Sequence, residues 1–94
     1  IKPQFEAGPE RVGPRGVVKD PDVHREVVLR VLAALRDRGL EPEHLTFSPL
    51  RGPEGNIEYL AGARRSAPAR DPAAWERIVA DTVAAAHEAD LPTT

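Results

Sequence analysis

The sequence predicts an α/β fold, the second half of a layered sheet in the order β-α-β-β-α with a terminal β-hairpin. Three observations predict it. Two segments carry apolar residues at helical spacing, and each opens on Asp-Pro, at Asp20-Pro21 and Asp71-Pro72. Between them two short runs alternate apolar with polar residues, split by Pro49, Gly52, Pro53 and Gly55. The chain opens, without a methionine, on IKPQFEAG, which reads as the tail of a strand begun earlier.

Taken in order, that opening tail leads into GPERVGPRGVVK, residues 8–19. Three glycines and two prolines in these twelve positions predict a mobile surface loop. Asp20 then reads as an N-cap, Pro21 as the first helical residue, and Asp22 as an acid where the helix dipole favours one. Val23, Val27, Val31 and Leu35 form an i, i+4 stripe widened by Val28 and Leu32, leaving Arg25, Glu26, Arg30, Arg36 and Asp37 outside. The helix should end near Arg38, with Gly39 in the left-handed conformation and Leu40 closing the contact behind it. Leu45 and Phe47 alternate with Thr46 and Ser48, and Ile57 and Tyr59 with Glu58 and Leu60, so a hairpin with a long connection follows. A second helix begins after Asp71, with Trp75, Ile78, Val79, Thr82, Val83 and Ala86 at helical spacing. It should end between His87 and Ala89, before a frayed Leu91–Thr94 tail.

Composition narrows the function classes. The 94 residues are 40% hydrophobic and 30% charged, the balance of one globular domain or part of one. There is no cysteine, hence no disulfide framework and no thiolate metal site, and a cytoplasmic location is the default. A net charge of -2 rules out nucleic-acid binding by bulk attraction, so any RNA contact must come from local clusters. No apolar run is long enough for a membrane span, and no secretory leader is evident.

Two such clusters exist. Arg11, Arg15 and Lys19 face a single acid, Glu10, in the first loop, and Arg64, Arg65 and Arg70 follow the hairpin with no acid before Asp71. Phosphate contacts and solvated linkers both account for them. Lys2, before Pro3, falls at the rim where open α/β sheets bind ligands, outside the carboxyl ends of their strands. Glu58 lies on the strand face opposite Ile57 and Tyr59, and a Lys and a Glu brought together there form either an ion pair or an acid–base pair. His24, His44 and His87 lie far apart with no HExxH partner, His24 and His87 on helix surfaces, so no metal site is expected. Trp75 reads as a core anchor, and Ser48 lacks the G-x-S-x-G setting of a nucleophile.

The runs IKPQFEAG, GVVKDPDVHREVVLRVL and SPLRGPEGNIEYL, in this order, resemble the C-terminal part of the TlyA family. That family is named for haemolysins and understood as ribosomal RNA 2′-O-methyltransferases with an FtsJ-like catalytic domain. The resemblance covers Ile1 to about Leu60 and implies the C-terminal half of a Rossmann-like S-adenosylmethionine-dependent methyltransferase fold. By this resemblance residues 1–94 are the C-terminal portion of that domain. The glycine-rich cofactor loop and the S4-type RNA-binding domain of such proteins are expected upstream, so the residues that bind the cofactor are unknown here. It also implies a Lys-Asp-Lys-Glu tetrad, with Lys2 of the KPQF motif as the second lysine and Glu58 of the GNxE(Y/F) motif as the glutamate. Arg15, Lys19, Ser48, Arg51, Arg64 and Arg65 are the RNA-binding candidates, with ribosomal RNA or ribosomal subunits as partner.

The chemistry accounts for those residue types. A ribose 2′-hydroxyl is a poor nucleophile until its proton is removed or shared, and a lysine takes a proton only when neutral. Burial and a neighbouring cation favour that state, while carboxylates oppose it and hold the geometry. The isolated chain is expected to be inactive and to self-associate through an exposed sheet edge. A non-catalytic RNA- or protein-binding module is the alternative. A membrane-active haemolysin has less support, because neither helix pairs a strongly cationic face with a broad aromatic one.

Overall fold

The computed structural model describes residues 1–94. It contains α1 (Pro3–Glu6), two single 3₁₀ turns (Pro9–Arg11 and Pro14–Gly16), α2 (Pro21–Asp37), β1 (Glu41–Phe47), β2 (Tyr59–Arg64) and α3 (Pro72–Glu88). Strands β1 and β2 pair antiparallel, with Phe47 opposite Tyr59 and Leu45 opposite Ala61, and an irregularity between Pro42 and His44. Helices α2 and α3 pack on each other and on the hairpin. The core lies between them, formed by Val28 and Leu32 of α2, Ile57 and Tyr59 of the hairpin, and Trp75, Val79, Val83 and Ala86 of α3. Trp75 is the core anchor expected of it, although its indole N–H has no partner and the Arg70 guanidinium lies 4.6 Å from its ring centroid. No helix is long and apolar enough to cross a membrane.

Both long helices start as their Asp-Pro dipeptides predict. The Asp20 carboxylate accepts from the Asp22 N–H and the Asp71 carboxylate from the Ala73 N–H, both at 2.9 Å, and Pro occupies the first helical position each time. Gly39, at φ 79°, ends α2 in the left-handed region, and the Leu40 N–H donates back to the Leu35 carbonyl.

Four expectations are corrected. First, the opening strand is confined to Ile1. Its N–H donates to the Tyr59 carbonyl at 2.6 Å and its carbonyl accepts from the Tyr59 N–H at 2.9 Å, a hydrogen-bonded antiparallel pair. Lys2 is still extended, at φ -116° and ψ 100°, but Pro3 suits a helix start, and residues 3–6 turn into α1. Second, residues 8–19 are anchored rather than loose. Asn56 is buried and clamps them, accepting from the Val18 N–H at 3.0 Å and donating to the Gly16 carbonyl at 2.9 Å, while Val18 packs with Ala7 and Val27. Third, the tail docks instead of fraying. The Arg51 N–H donates to the Pro92 carbonyl, and the Thr94 N–H donates to the Arg51 carbonyl. Fourth, the buried face of α2 is rotated from the expected stripe: His24, Val27, Val28 and Leu32 are buried, while Val23, Val31 and Leu35 are half-buried.

His24 is therefore not a surface residue. Its Nε2 lies 2.8 Å from the Val18 carbonyl, which only accepts, so Nε2 carries the proton and Nδ1 accepts from the Tyr59 hydroxyl at 2.8 Å. His87 is half-buried, with its ring centroid 4.7 Å from that of His24 and Nδ1 2.8 Å from the Val83 carbonyl. The signal was present in the sequence: His24, Val28 and Leu32 repeat at i, i+4, i+8, as do Val79, Val83 and His87.

Burial pushes the His24 pKa below the ordinary 6.5. The unfolded chain thus takes up the proton first, and stability falls as pH drops below about 6.5 until the folded-state value is reached. Denaturant unfolding between pH 7.5 and 5 should show this loss with a slope of up to about 1.4 kcal/mol per pH unit. A His24→Asn variant should be less stable at pH 7.5 and lack that component of the slope; an unchanged slope would assign the acid sensitivity elsewhere.

Candidate active site

The Ile1–Tyr59 pair sets the register that matters. In an antiparallel ladder, the residue after Ile1 lies opposite the residue before Tyr59, so Lys2 and Glu58 are cross-strand neighbours, with Cβ atoms expected about 4.5–5.5 Å apart. Both line one cleft of about 320 Å³. Arg15, Asn56 and Phe5 border the same cleft. Neither Lys2 nor Glu58 enters an ion pair; the four pairs of the chain join Arg11 to Glu26, Arg25 to Asp22, Arg36 to Glu41 and Arg64 to Glu43. The Lys2 ammonium instead lies 5.3 Å from the centroid of the Phe5 ring.

Glycine at position 52 makes room for the carboxylate. A Cβ there would lie 3.1 Å from Glu58 Oε2, closer than ordinary contact, although the backbone of Gly52 itself is not left-handed. The Gly52 N–H donates to the Asn56 carbonyl and the Ser48 N–H to the Glu58 carbonyl, which fixes both sides of the loop that carries the glutamate. Asn56 and Gly52 escaped the sequence reading because their types signal a turn. Only the fold shows the close approach.

A second, larger cleft of about 500 Å³ adjoins the first, sharing Arg15 and Glu54 with it. Arg15, Lys19 and Arg51 converge on it. Arg15 and Lys19 are exposed, whereas the Arg51 side chain donates to the Gly55 carbonyl at 3.3 Å. Arg15 has φ 63°, in the left-handed region that arginine seldom occupies, at a cost on the order of 1 kcal/mol.

The remaining RNA-binding candidates separate from these. The Ser48 hydroxyl accepts from the Leu50 N–H at 3.2 Å and closes the turn after β1. Arg64 and Arg65 lie at and just beyond the far end of β2 from Glu58, with Arg64 roughly 20 Å away along a strand that rises about 3.3 Å per residue. Arg64 donates through Nε and Nη2 to both carboxylate oxygens of Glu43, at 3.1 and 2.8 Å. The Arg64 hydrogen bonds hold the Glu43 carboxyl below its ordinary range, and Glu43 in turn raises Arg64. Lys2, Glu58 and Arg15 thus share one cleft, Lys19 and Arg51 join Arg15 in the next, and Arg64 and Arg65 stand apart.

Residues 1–65 match the family of FtsJ-like methyltransferases. YqxC of Bacillus subtilis, assigned as an rRNA methyltransferase, is 48% identical over 60 residues, which are 64% of this chain and 21% of that protein. The 16S/23S rRNA (cytidine-2′-O)-methyltransferase TlyA of Mycobacterium tuberculosis is 44% identical over 64 residues, 68% of this chain and 24% of that protein. The fold is shared with a Streptococcus thermophilus protein described as a hemolysin, at a TM-score of 0.79 and 39% identity, over 94% of this chain and 31% of the other. A Lactococcus lactis protein of the same description matches at a TM-score of 0.68 and 36% identity, over 83% of this chain and 39% of the other. The chain spans about a quarter or less of the length of these curated relatives. Its helices and hairpin are part of a Rossmann-like methyltransferase fold, and the chain belongs to the FtsJ-like methyltransferase family, in its TlyA group.

Proposed function

We propose that this chain is the C-terminal part of an S-adenosylmethionine-dependent methyltransferase acting on the 2′-hydroxyl of ribosomal RNA in the cytoplasm. The observation that carries this reading is the antiparallel register that sets Lys2 opposite Glu58 in one cleft. Lys2 and Glu58 are the second lysine and the glutamate of a Lys-Asp-Lys-Glu tetrad whose other members lie outside residues 1–94. Lys2 takes the proton of the 2′-hydroxyl on Nζ or orients that hydroxyl. Glu58 positions Lys2 and the ribose.

The residues present do not make a cofactor seat. The loop before α2 holds three glycines, but Asn56 binds its Val18 N–H and Gly16 carbonyl, and the Asp20 and Asp71 carboxylates occupy the starts of the two long helices where a phosphate or carboxylate would otherwise sit. S-adenosylmethionine, which supplies the methyl group, is bound by the remainder of the full-length protein, together with an S4-type RNA-binding domain. The isolated chain is inactive on this reading, and the edge of β2 beyond its pair with Ile1 is where it would self-associate. Arg15, Lys19 and Arg51 contact the RNA beside the clefts, Ser48 contacts it from the turn after β1, and Arg64 and Arg65 contact it farther out.

Transfer of labelled methyl to ribosomal subunits by the full-length protein tests this reading. Lys2→Ala should reduce kcat by about 10²-fold or more while RNA binding persists. Methyl transfer undiminished in Lys2→Ala would overturn the role of Lys2. Binding without methylation by the wild-type protein would leave a non-catalytic binding module.

Two further substitutions probe the surroundings. Gly52→Ala should push the Glu58 carboxylate by a few tenths of an ångström and lower methyl transfer by about tenfold. Its melting temperature should change little, so a large loss of stability would point to a purely structural glycine. Arg15→Gly should leave stability within about 1 kcal/mol, because relief of left-handed strain offsets the extra freedom of the unfolded chain. RNA affinity should fall, with a salt dependence shallower by about one charge. Unchanged affinity and slope would remove Arg15 from the interface.

A further inference from the structure

Phe5 is 75% exposed, the most exposed of the large hydrophobic side chains. Its position does not result from a loose segment. Helix α1 has Pro3 at its first position, and Pro3 and Ala7 are both buried, Ala7 against Val18 and Val27. Phe5 lies midway between them and so is turned to the opposite side of the single helical turn. The backbone there is closed by Phe5 N–H to Lys2 carbonyl and Ala7 N–H to Pro3 carbonyl hydrogen bonds, both 2.9 Å. The ring is thus presented outward by a fixed support.

The ring's surroundings decide what it faces. Phe5 is the one large apolar side chain bordering the cleft of Lys2 and Glu58. The rest of that cleft's lining includes Lys2, Gln4, Arg15, Glu54 and Asn56. A protein segment docking there would find no apolar patch to extend the contact, since one ring is ringed by charged and amide groups. A nucleobase has the complementary character: an aromatic face for stacking, a polar edge for the Gln4 amide, whose oxygen has no partner within the chain, and an attached ribose phosphate for the cations. The Lys2 ammonium, 5.3 Å from the ring centroid, links the platform to the reacting end of the site.

We propose that Phe5 is the stacking platform for the base of the nucleotide whose 2′-hydroxyl Lys2 and Glu58 address. The proposal rests on the reading of the chain as part of an RNA ribose methyltransferase. The base is splayed from its neighbours and laid on the Phe5 ring, which places its ribose over the cleft; Phe5 is a positioning residue and takes no part in proton or methyl transfer.

The test uses the full-length protein with ribosomal RNA, comparing wild type, Phe5→Ala and Phe5→Trp. Phe5→Ala should raise KM for RNA about tenfold or more, with the melting temperature unchanged, and Phe5→Trp should restore the wild-type KM. Added RNA should quench the fluorescence of the Phe5→Trp indole beyond any change in the wild type, whose Trp75 is buried. A wild-type KM in Phe5→Ala overturns the proposal. So does a loss of activity that follows a fall in melting temperature, which would place Phe5 against the rest of the protein. If the wild type transfers no methyl, the reading of the function fails on its own; quenching of the Phe5→Trp indole by RNA then still supports stacking, and its absence overturns it.

Discussion

Two hydrogen bonds between Ile1 and Tyr59 hold the arrangement on which the rest depends. They join the start of the chain to a residue 58 positions away, and no local preference of either segment would bring them together. Once made, they determine which neighbours face each other: Lys2 meets Glu58, and the proline after Lys2 turns the backbone away into α1 before a longer strand can form.

Tyr59 is suited to this task because it is held from several sides. It is fully buried, pairs with Phe47 of β1, and donates its hydroxyl to Nδ1 of His24. Burial raises the pKa of the phenol and lowers that of the imidazole, so both groups stay neutral and the hydrogen bond costs no buried charge. His24 passes the constraint to the first loop through the Val18 carbonyl, and Asn56 grips the same loop from the hairpin side. Loop 8–19 is therefore pinned at two points, and this sets Arg15 between the two clefts.

Polar groups, more than apolar ones, organise the site. The apolar core between α2, α3 and the hairpin would tolerate small shifts of the loops, since apolar packing has little directional preference. Hydrogen bonds from Asn56, His24 and the backbone of Gly52 do not tolerate such shifts, because each buried donor or acceptor left unpaired costs about 1–3 kcal/mol. The exposed ion pairs contribute less: Arg64 and Glu43 are well matched, but solvent screens them, and their place at the far end of β2 gives them no hold on the cleft.

The sequence by itself determined the local elements and the motif residues. Asp20-Pro21, Asp71-Pro72 and Gly39 marked helix ends because capping is a matter of a few adjacent residues, and alternation around Phe47 and Tyr59 marked the hairpin because pleat periodicity is local too. The KPQF and GNIEY runs pointed to Lys2 and Glu58 through resemblance, without showing how the two meet. The tertiary structure alone decided that meeting, the turn of residues 3–6 into a helix, the partners of His24, the close fit of Gly52 against Glu58, and the docking of Thr94 on Arg51. Each of these joins residues distant in the chain or depends on which side of a helix the core happens to cover. A polar residue such as His24 in an apolar stripe reads as surface until the partners that satisfy it, Tyr59 and Val18, are in place.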